Sequence, residues 1–249
     1  MRRALLLLFL LLTPLAAPAQ GVRGDEGGVG RLDIGERRLC TGALIAPDLV
    51  LTAAHCLLRE GREVEIGGIR FRAGLSGARG EAERRVAALA RGPGGAGAAG
   101  ASALDVVPGD VAVLRLARPV TSFRALPLIL GPPPGVGAPL RVISYSAGRP
   151  DAPRTEEGCR VIERAEGILV TDCLAEMGAS GSPVLDGEGR LVGVISASAL
   201  RAGDAVSLAA ELPPALVAAL RERASGRDPA PRLPREGDGA RASARFVRP

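Results

Sequence analysis

Three short segments hold residue types able to do acid–base and nucleophilic chemistry. Thr52-Ala53-Ala54-His55-Cys56 carries the only histidine of the chain. A neutral imidazole is the usual general base for a hydroxyl, because it exchanges its proton near neutrality. A lone histidine is more often structural, so His55 alone assigns nothing. Pro108-Gly109-Asp110 places a single acid at the mouth of the apolar run Val111 to Leu116. Such a carboxylate is costly to bury unless it is hydrogen-bonded. It can hold one imidazole nitrogen protonated and stabilise the imidazolium. The competing reading is an ordinary turn residue before a strand. Gly178-Ala179-Ser180-Gly181-Ser182-Pro183 is the sharpest of the three. A nucleophilic serine needs an exposed hydroxyl on a tight turn and backbone N–H groups aimed at a developing oxyanion. Glycines around it allow unusual backbone angles and a close approach of substrate.

The elements that must position these residues read as strands. Apolar runs at Gly42–Ile45 and Leu49–Thr52 flank the turn sequence Ala46-Pro47-Asp48. Val64–Ile66 and Ile69–Phe71 alternate around Gly67-Gly68, which predicts a tight hairpin. Arg85–Leu89 and Val111–Leu116 are further strands. Gly92 to Ser102 has no pattern that buries a face and reads as a loop insertion. Gly131-Pro132-Pro133-Pro134-Gly135 is the strongest interior break. Beyond it, 139–145, 160–163, 167–171, 182–185, 191–196 and 206–209 read as strands. Pro213-Pro214 opens a helix through Arg221. Many short strands and one late helix mean an all-β sandwich or barrels.

The N-terminus has a basic start (Arg2, Arg3), an apolar run from Ala4 to Leu12 and the small-residue site Ala17-Pro18-Ala19. This is the build of an export leader cut after Ala19. No later stretch is long and apolar enough to be a second membrane helix, so no stable membrane association is expected after cleavage. Four cysteines, at 40, 56, 159 and 173, suit disulfides in an exported chain. Three pairings are possible. Proximity favours Cys40–Cys56 and Cys159–Cys173, each closing a loop of about 15 residues and worth about 3 kcal/mol. With one histidine and no Cys-x-x-Cys pair, no zinc site or other metal is expected, and no cofactor is called for.

The net charge of +5 is concentrated at the ends. From Arg221 onward there are eight Arg against four acids, whereas Gln20 to Leu220 holds 22 Arg and 23 acids. The body is nearly neutral and only 2% of residues are aromatic, which argues against a nucleic-acid groove. The tail is poor in apolar residues and reads as disordered.

Taken together, Cys40-Thr41-Gly42-Ala43-Leu44-Ile45, Leu51-Thr52-Ala53-Ala54-His55-Cys56, Asp110-Val111-Ala112-Val113-Leu114 and Gly178-Ala179-Ser180-Gly181-Ser182-Pro183 resemble the trypsin/chymotrypsin family of serine peptidases in content and order. The resemblance covers about Val29 to Leu220. It implies an all-β fold of two antiparallel six-stranded β-barrels with a short C-terminal helix. It implies a triad of His55, Asp110 and Ser180, an oxyanion hole from the N–H groups of Gly178 and Ser180, and support of Asp110 by Ser196. It also implies the Cys40–Cys56 disulfide. The domain plan is a leader over 1–19, an N-terminal barrel over 20–130, a linker over 131–138, a C-terminal barrel and helix over 139–222, and an Arg/Pro-rich tail over 223–249.

Two positions depart from the animal digestive enzymes. Ala179 stands where they carry the Asp that receives a new N-terminus, so activation through that salt bridge is not expected. Leu174, six residues before Ser180, stands in place of a pocket Asp. The serine segment, Thr171-Asp172 and Val29-Gly30-Arg31-Leu32 look instead like the bacterial glutamyl-endopeptidase-like branch, but that branch uses a second His that this chain lacks. Leu174, Ala197 and Ser198 therefore predict a pocket for small or medium apolar side chains. The expected protein is a secreted or periplasmic, monomeric serine endopeptidase with a polypeptide substrate. The alternatives are a catalytically silent binding protein of the same fold and an exported esterase. The order His, Asp, Ser argues against the α/β-hydrolase form of the latter.

Overall fold

The structure is a computed structural model describing residues 24–36, 38–95 and 102–226. A short helix α1 (Gly24–Gly28) leads into β1 (Val29–Ile34), β2 (Arg38–Ala46) and β3 (Leu49–Thr52). A small ribbon of β4 (Leu58–Arg59) and β5 (Arg62–Glu63) follows, then β6 (Ile69–Ala73), β7 (Ala82–Arg91), the one-turn α2 (Ala103–Val106) and β8 (Ala112–Leu116). Strands β1-β2-β3-β8-β7-β6 close an antiparallel barrel. The second half holds β9 (Pro139–Ser146), β10 (Arg149–Ala165), β11 (Ile168–Thr171), β12 (Pro183–Leu185), β13 (Leu191–Arg201), β14 (Asp204–Glu211) and the helix α3 (Pro214–Ala224). Its strands close a second barrel in the order β10-β11-β14-β13-β12-β9. The architecture is the all-β, two-barrel one expected, with a short C-terminal helix.

Closure removes sheet edges; β2, β3 and β8 are buried in continuous runs, whereas β6 alternates. On β6, Ile69, Phe71 and Ala73 point inward while Arg70 and Arg72 face out. Phe71 is fully buried, and a Cβ on Gly30 would fall 2.5 Å from its ring. Gly30 thus makes room for one of the few aromatic rings. Apart from Tyr145 and the cysteines, the rest of the core is Leu, Val, Ile and Ala, each larger side chain contributing about 1.5–3 kcal/mol on burial.

Two strand expectations are corrected. Val64–Ile66 and Ile69–Phe71 do not form a hairpin. Ile66–Gly68 is a single 3₁₀ turn, and neither Gly67 nor Gly68 adopts the positive φ that a two-residue hairpin turn needs. Strand β6 is already paired on both sides, by β1 and β7, and has no edge left for 64–66. In the second barrel, the strand expected over 160–163 extends to the 17 residues of β10. Its first half is charged and carries Pro150 and Pro153, so it lacks a strand signature. Its ladder with β9 is interrupted between Arg149 and Arg154 and again near Gly158, whose φ is +85°.

The chain between the barrels is fastened to both. Leu128 N–H donates to Leu44 O at 2.7 Å, and Gly131 N–H to Leu191 O at 2.9 Å. Helix α3 follows the last strand of the second barrel but packs on β7 and β8 of the first, burying Val217, Leu220 and Ala224. Arg115 Nε donates to Ala224 O at 3.0 Å, satisfying a carbonyl at the helix C-terminus. The expected leader and almost all of the expected tail lie outside the described residues, as do 96–101 of the loop insertion.

Candidate active site

His55 lies on the 3₁₀ turn Ala54–Leu57 that leaves β3. The Cys40–Cys56 disulfide, with Cα atoms 6.4 Å apart, ties that turn to β2. Asp110 sits just before β8 and is 1% exposed. Its Oδ1 accepts the His55 backbone N–H at 2.8 Å, and its Oδ2 lies 2.7 Å from His55 Nδ1. An ionised carboxylate only accepts, so Nδ1 carries the hydrogen and Nε2 is left as the basic nitrogen. Ser196, on β13, adds its hydroxyl to Oδ2 at 2.5 Å. Three donors from two barrels thus offset the cost of burying one charge.

A fourth element covers this carboxylate, and sequence reasoning missed it. The start of the Gly/Ala-rich segment is fixed by Gly92 N–H to Val111 O at 2.7 Å, Gly94 N–H to Gly109 O at 3.1 Å and Gly95 N–H to Val106 O at 2.8 Å. A Cβ on Gly95 would stand 2.2 Å from Asp110 Oδ1 and 2.7 Å from His55 N. The segment is a strap of bare backbone, and three glycines in four residues are the signal that could have found it.

The Ser180 turn is built against the first barrel. Thr41 N–H donates to Ser180 O at 2.8 Å, and Cys56 Sγ lies 3.9 Å from the same oxygen. Gly181 has φ +84°, and a Cβ there would fall 2.2 Å from both Thr41 O and Thr52 Oγ1. No side chain fits. Ala147 N–H takes Met177 O at 2.7 Å. Across the planar trans peptide this turns the Gly178 N–H the opposite way. Among the described residues, the N–H groups of Gly178 and Ser180 donate to nothing. No hydrogen bond joins the Ser180 hydroxyl to His55; such catalytic contacts commonly tighten only with substrate in place. Thr41 is a further residue that the sequence did not point to. Its hydroxyl accepts Tyr145 N–H at 2.9 Å and lies 3.4 Å from Gly178 O.

Leu174 is 52% exposed. It follows Cys173, which is bonded to Cys159, and its N–H is received by both Glu156 oxygens at 3.0 and 3.1 Å. Glu156 was not anticipated, because it lies in the half of β10 outside the strand expected over 160–163. Ser198 donates its hydroxyl to Ala175 O at 3.1 Å, and Ala197 pairs with Leu208 on β14. Ala179 is buried and offers no carboxylate. Among the described residues, one acid–thiol group has metal-like spacing, Asp172 with Cys159 and Cys173. Both of its sulfurs are spent on the disulfide, which removes the thiolate donors. No helix among the described residues is long and apolar enough to cross a membrane.

Similar folds occur among solved structures. A Glu endopeptidase determined in complex with MPD is 18% identical, with a TM-score of 0.68 over 83% of this chain and 94% of its own. Neuropsin, a serine protease expressed in the limbic system of mouse brain, is 19% identical, with a TM-score of 0.58 over 76% of this chain and 90% of its own. At such identities the likeness is one of fold. The family model of the trypsin-like peptidase domain matches residues 40–194, from the cysteine that anchors the His55 turn to the strand beside Ser196. By that match, which spans more than half of its length, the chain belongs to the trypsin-like peptidase family.

Proposed function

We propose that the protein is a secreted serine endopeptidase. Ser180 Oγ attacks the peptide carbonyl carbon while His55 Nε2 takes its proton. The N–H groups of Gly178 and Ser180 stabilise the oxyanion. Collapse breaks the C–N bond, His55 returns the proton to the leaving amine, and water then hydrolyses the acyl-enzyme by the same route. Asp110 orients His55, and Ser196 holds Asp110. The observation that carries this reading is the buried Asp110 carboxylate, gripped by the backbone and ring of His55 and by Ser196.

Leu174, Ala197 and Ser198 line a pocket that takes small or medium apolar side chains. The leader over 1–19 is removed after Ala19. The body acts as a monomer outside the cell or in the periplasm, where disulfides persist. Labelling by a fluorophosphonate is expected at Ser180, and Ser180→Ala is expected to lose activity by about 10⁶-fold in kcat with the fold retained. A label on another serine, or on none, overturns the assignment. A peptide panel that favours Arg or Glu before the cleaved bond overturns the pocket.

A further inference from the structure

The recess of about 610 Å³ on the first barrel lies outside the machinery described above. Its wall carries Arg31, Arg38, Arg70 and Arg72 against Asp33 and Glu36. Asp33 is already neutralised, with Arg31 Nε and Arg72 Nε each at 2.8 Å. Arg31 also reaches Asp151 at 2.9 Å, and Glu83 receives Arg70 at 3.1 Å and Arg72 at 3.5 Å. Arg38 differs. It is anchored by a hydrogen bond to Leu58 O, and no carboxylate of the described residues lies within ion-pair distance. An anchored guanidinium keeps further N–H donors in a fixed fork suited to a carboxylate.

The recess abuts the Ser180 turn. Leu39 lines it, and Leu39 Cδ1 would be 2.7 Å from a Cβ on Gly178. The other flank of that turn is joined to β13, where Gly181 N–H meets Ile195 O at 2.8 Å. Ser196 to Ser198 therefore lie on one side of Ser180, and Leu39 and Arg38 on the other. Along β2, Arg38 is three residues from Thr41, which holds Ser180 O. At about 3.3 Å per extended residue, that is about 10 Å, the reach of the third residue of an extended chain.

We propose that this recess is a subsite for a carboxylate side chain on the leaving side of the substrate, about three residues beyond the cleaved bond, read by Arg38. The substrates are then acidic peptides. The subsite rests on the peptidase reading above.

The test uses the full chain and two quenched peptides, identical except for Glu or Gln at the third position after the cleaved bond. An anilide with no leaving-side residues is run beside them on the wild type. The Glu peptide is expected to be favoured by about three- to tenfold in kcat/KM, mainly through KM, with the preference shrinking as salt is raised. Arg38→Gln brings the Glu-to-Gln ratio to about one, and Glu36→Gln raises it. Cleavage of the peptides with no Glu preference, or a preference that survives Arg38→Gln, overturns the subsite alone. Failure to cleave any of the three substrates overturns the peptidase reading and the subsite with it.

Discussion

Gly95 lies so close to Asp110 that a Cβ on the glycine would stand 2.2 Å from Oδ1. Its φ of +79° adds a strain of about 1–2 kcal/mol for any L side chain. Gly95→Ala must push the strap off the carboxylate or tilt the carboxylate from His55. A displacement of about 1 Å at such a site costs about 10²-fold in rate. The expected result is a folded protein with kcat down by about that factor. Gly135→Ala, with no atom within 4 Å, serves as the control. Wild-type kcat in Gly95→Ala would mean that the strap does not position Asp110.

Ser196 contributes one of three hydrogen bonds to the same carboxylate. A bond to a charged group contributes about 1.5–3 kcal/mol. Ser196→Ala should lower kcat/KM by about tenfold or more. Ser198→Ala, whose hydroxyl meets only Ala175 O, should spare kcat. Steady-state kinetics on the two variants decides it, and equal losses would remove any special role for Ser196.

Tyr145 is the only tyrosine, and the chain has no lysine. Burial pushes its phenol well above the ordinary value of 10.0, and the hydroxyl donates to Leu75 O at 3.0 Å, a bond that needs the proton. A group whose pKa is raised on folding stabilises fully below its unfolded pKa. That stability is lost as pH climbs through the unfolded value toward the folded one. Urea midpoints should therefore hold up to about pH 10 and fall above it, by at most about 1.4 kcal/mol per pH unit. Tyr145→Phe should be about 1 kcal/mol less stable at neutral pH but flat through the alkaline limb. Phenolate absorbance should appear only as the protein unfolds. Ionisation of a native protein near pH 10 would contradict this.

The two disulfides separate stability from chemistry. Replacing either pair by serine should cost about 3 kcal/mol in the chain-entropy model, read as a lower urea midpoint. Loss of Cys40–Cys56 also frees the His55 turn from β2, so kcat should fall under conditions where the variant is folded. Loss of Cys159–Cys173 loosens the chain beside Leu174, so it should shift KM and side-chain preference more than kcat. Identical kinetic effects from both would refute this division.

His55 and Asp110 could be picked out because each stands at one end of an apolar run, and Ser180 because Gly178, Ala179 and Gly181 surround it, all local patterns. The two-barrel fold was legible through the ordered set of segments, not through periodicity, which stopped at sandwich or barrel. What could not be read was long-range. Nothing local to Gly95 says that it covers a carboxylate 15 positions away, and nothing local to Thr41 says that it holds Ser180 O across the barrel boundary. Glu156 was lost because paired strand need not look like strand when proline and charge fill its solvent face. The Gly67-Gly68 hairpin failed because β6 already had two neighbours.

Helix α3 is the last element among the described residues yet covers strands made much earlier. A growing polypeptide has synthesised β7 and β8 more than a hundred residues before Val217, Leu220 and Ala224 exist to shield them. Order of manufacture and order of completion therefore part company. Asp110 lies two residues before β8, so the scaffold under it is finished only when α3 has arrived, and a half-delivered molecule holds the histidine and the aspartate without the serine or the covering helix.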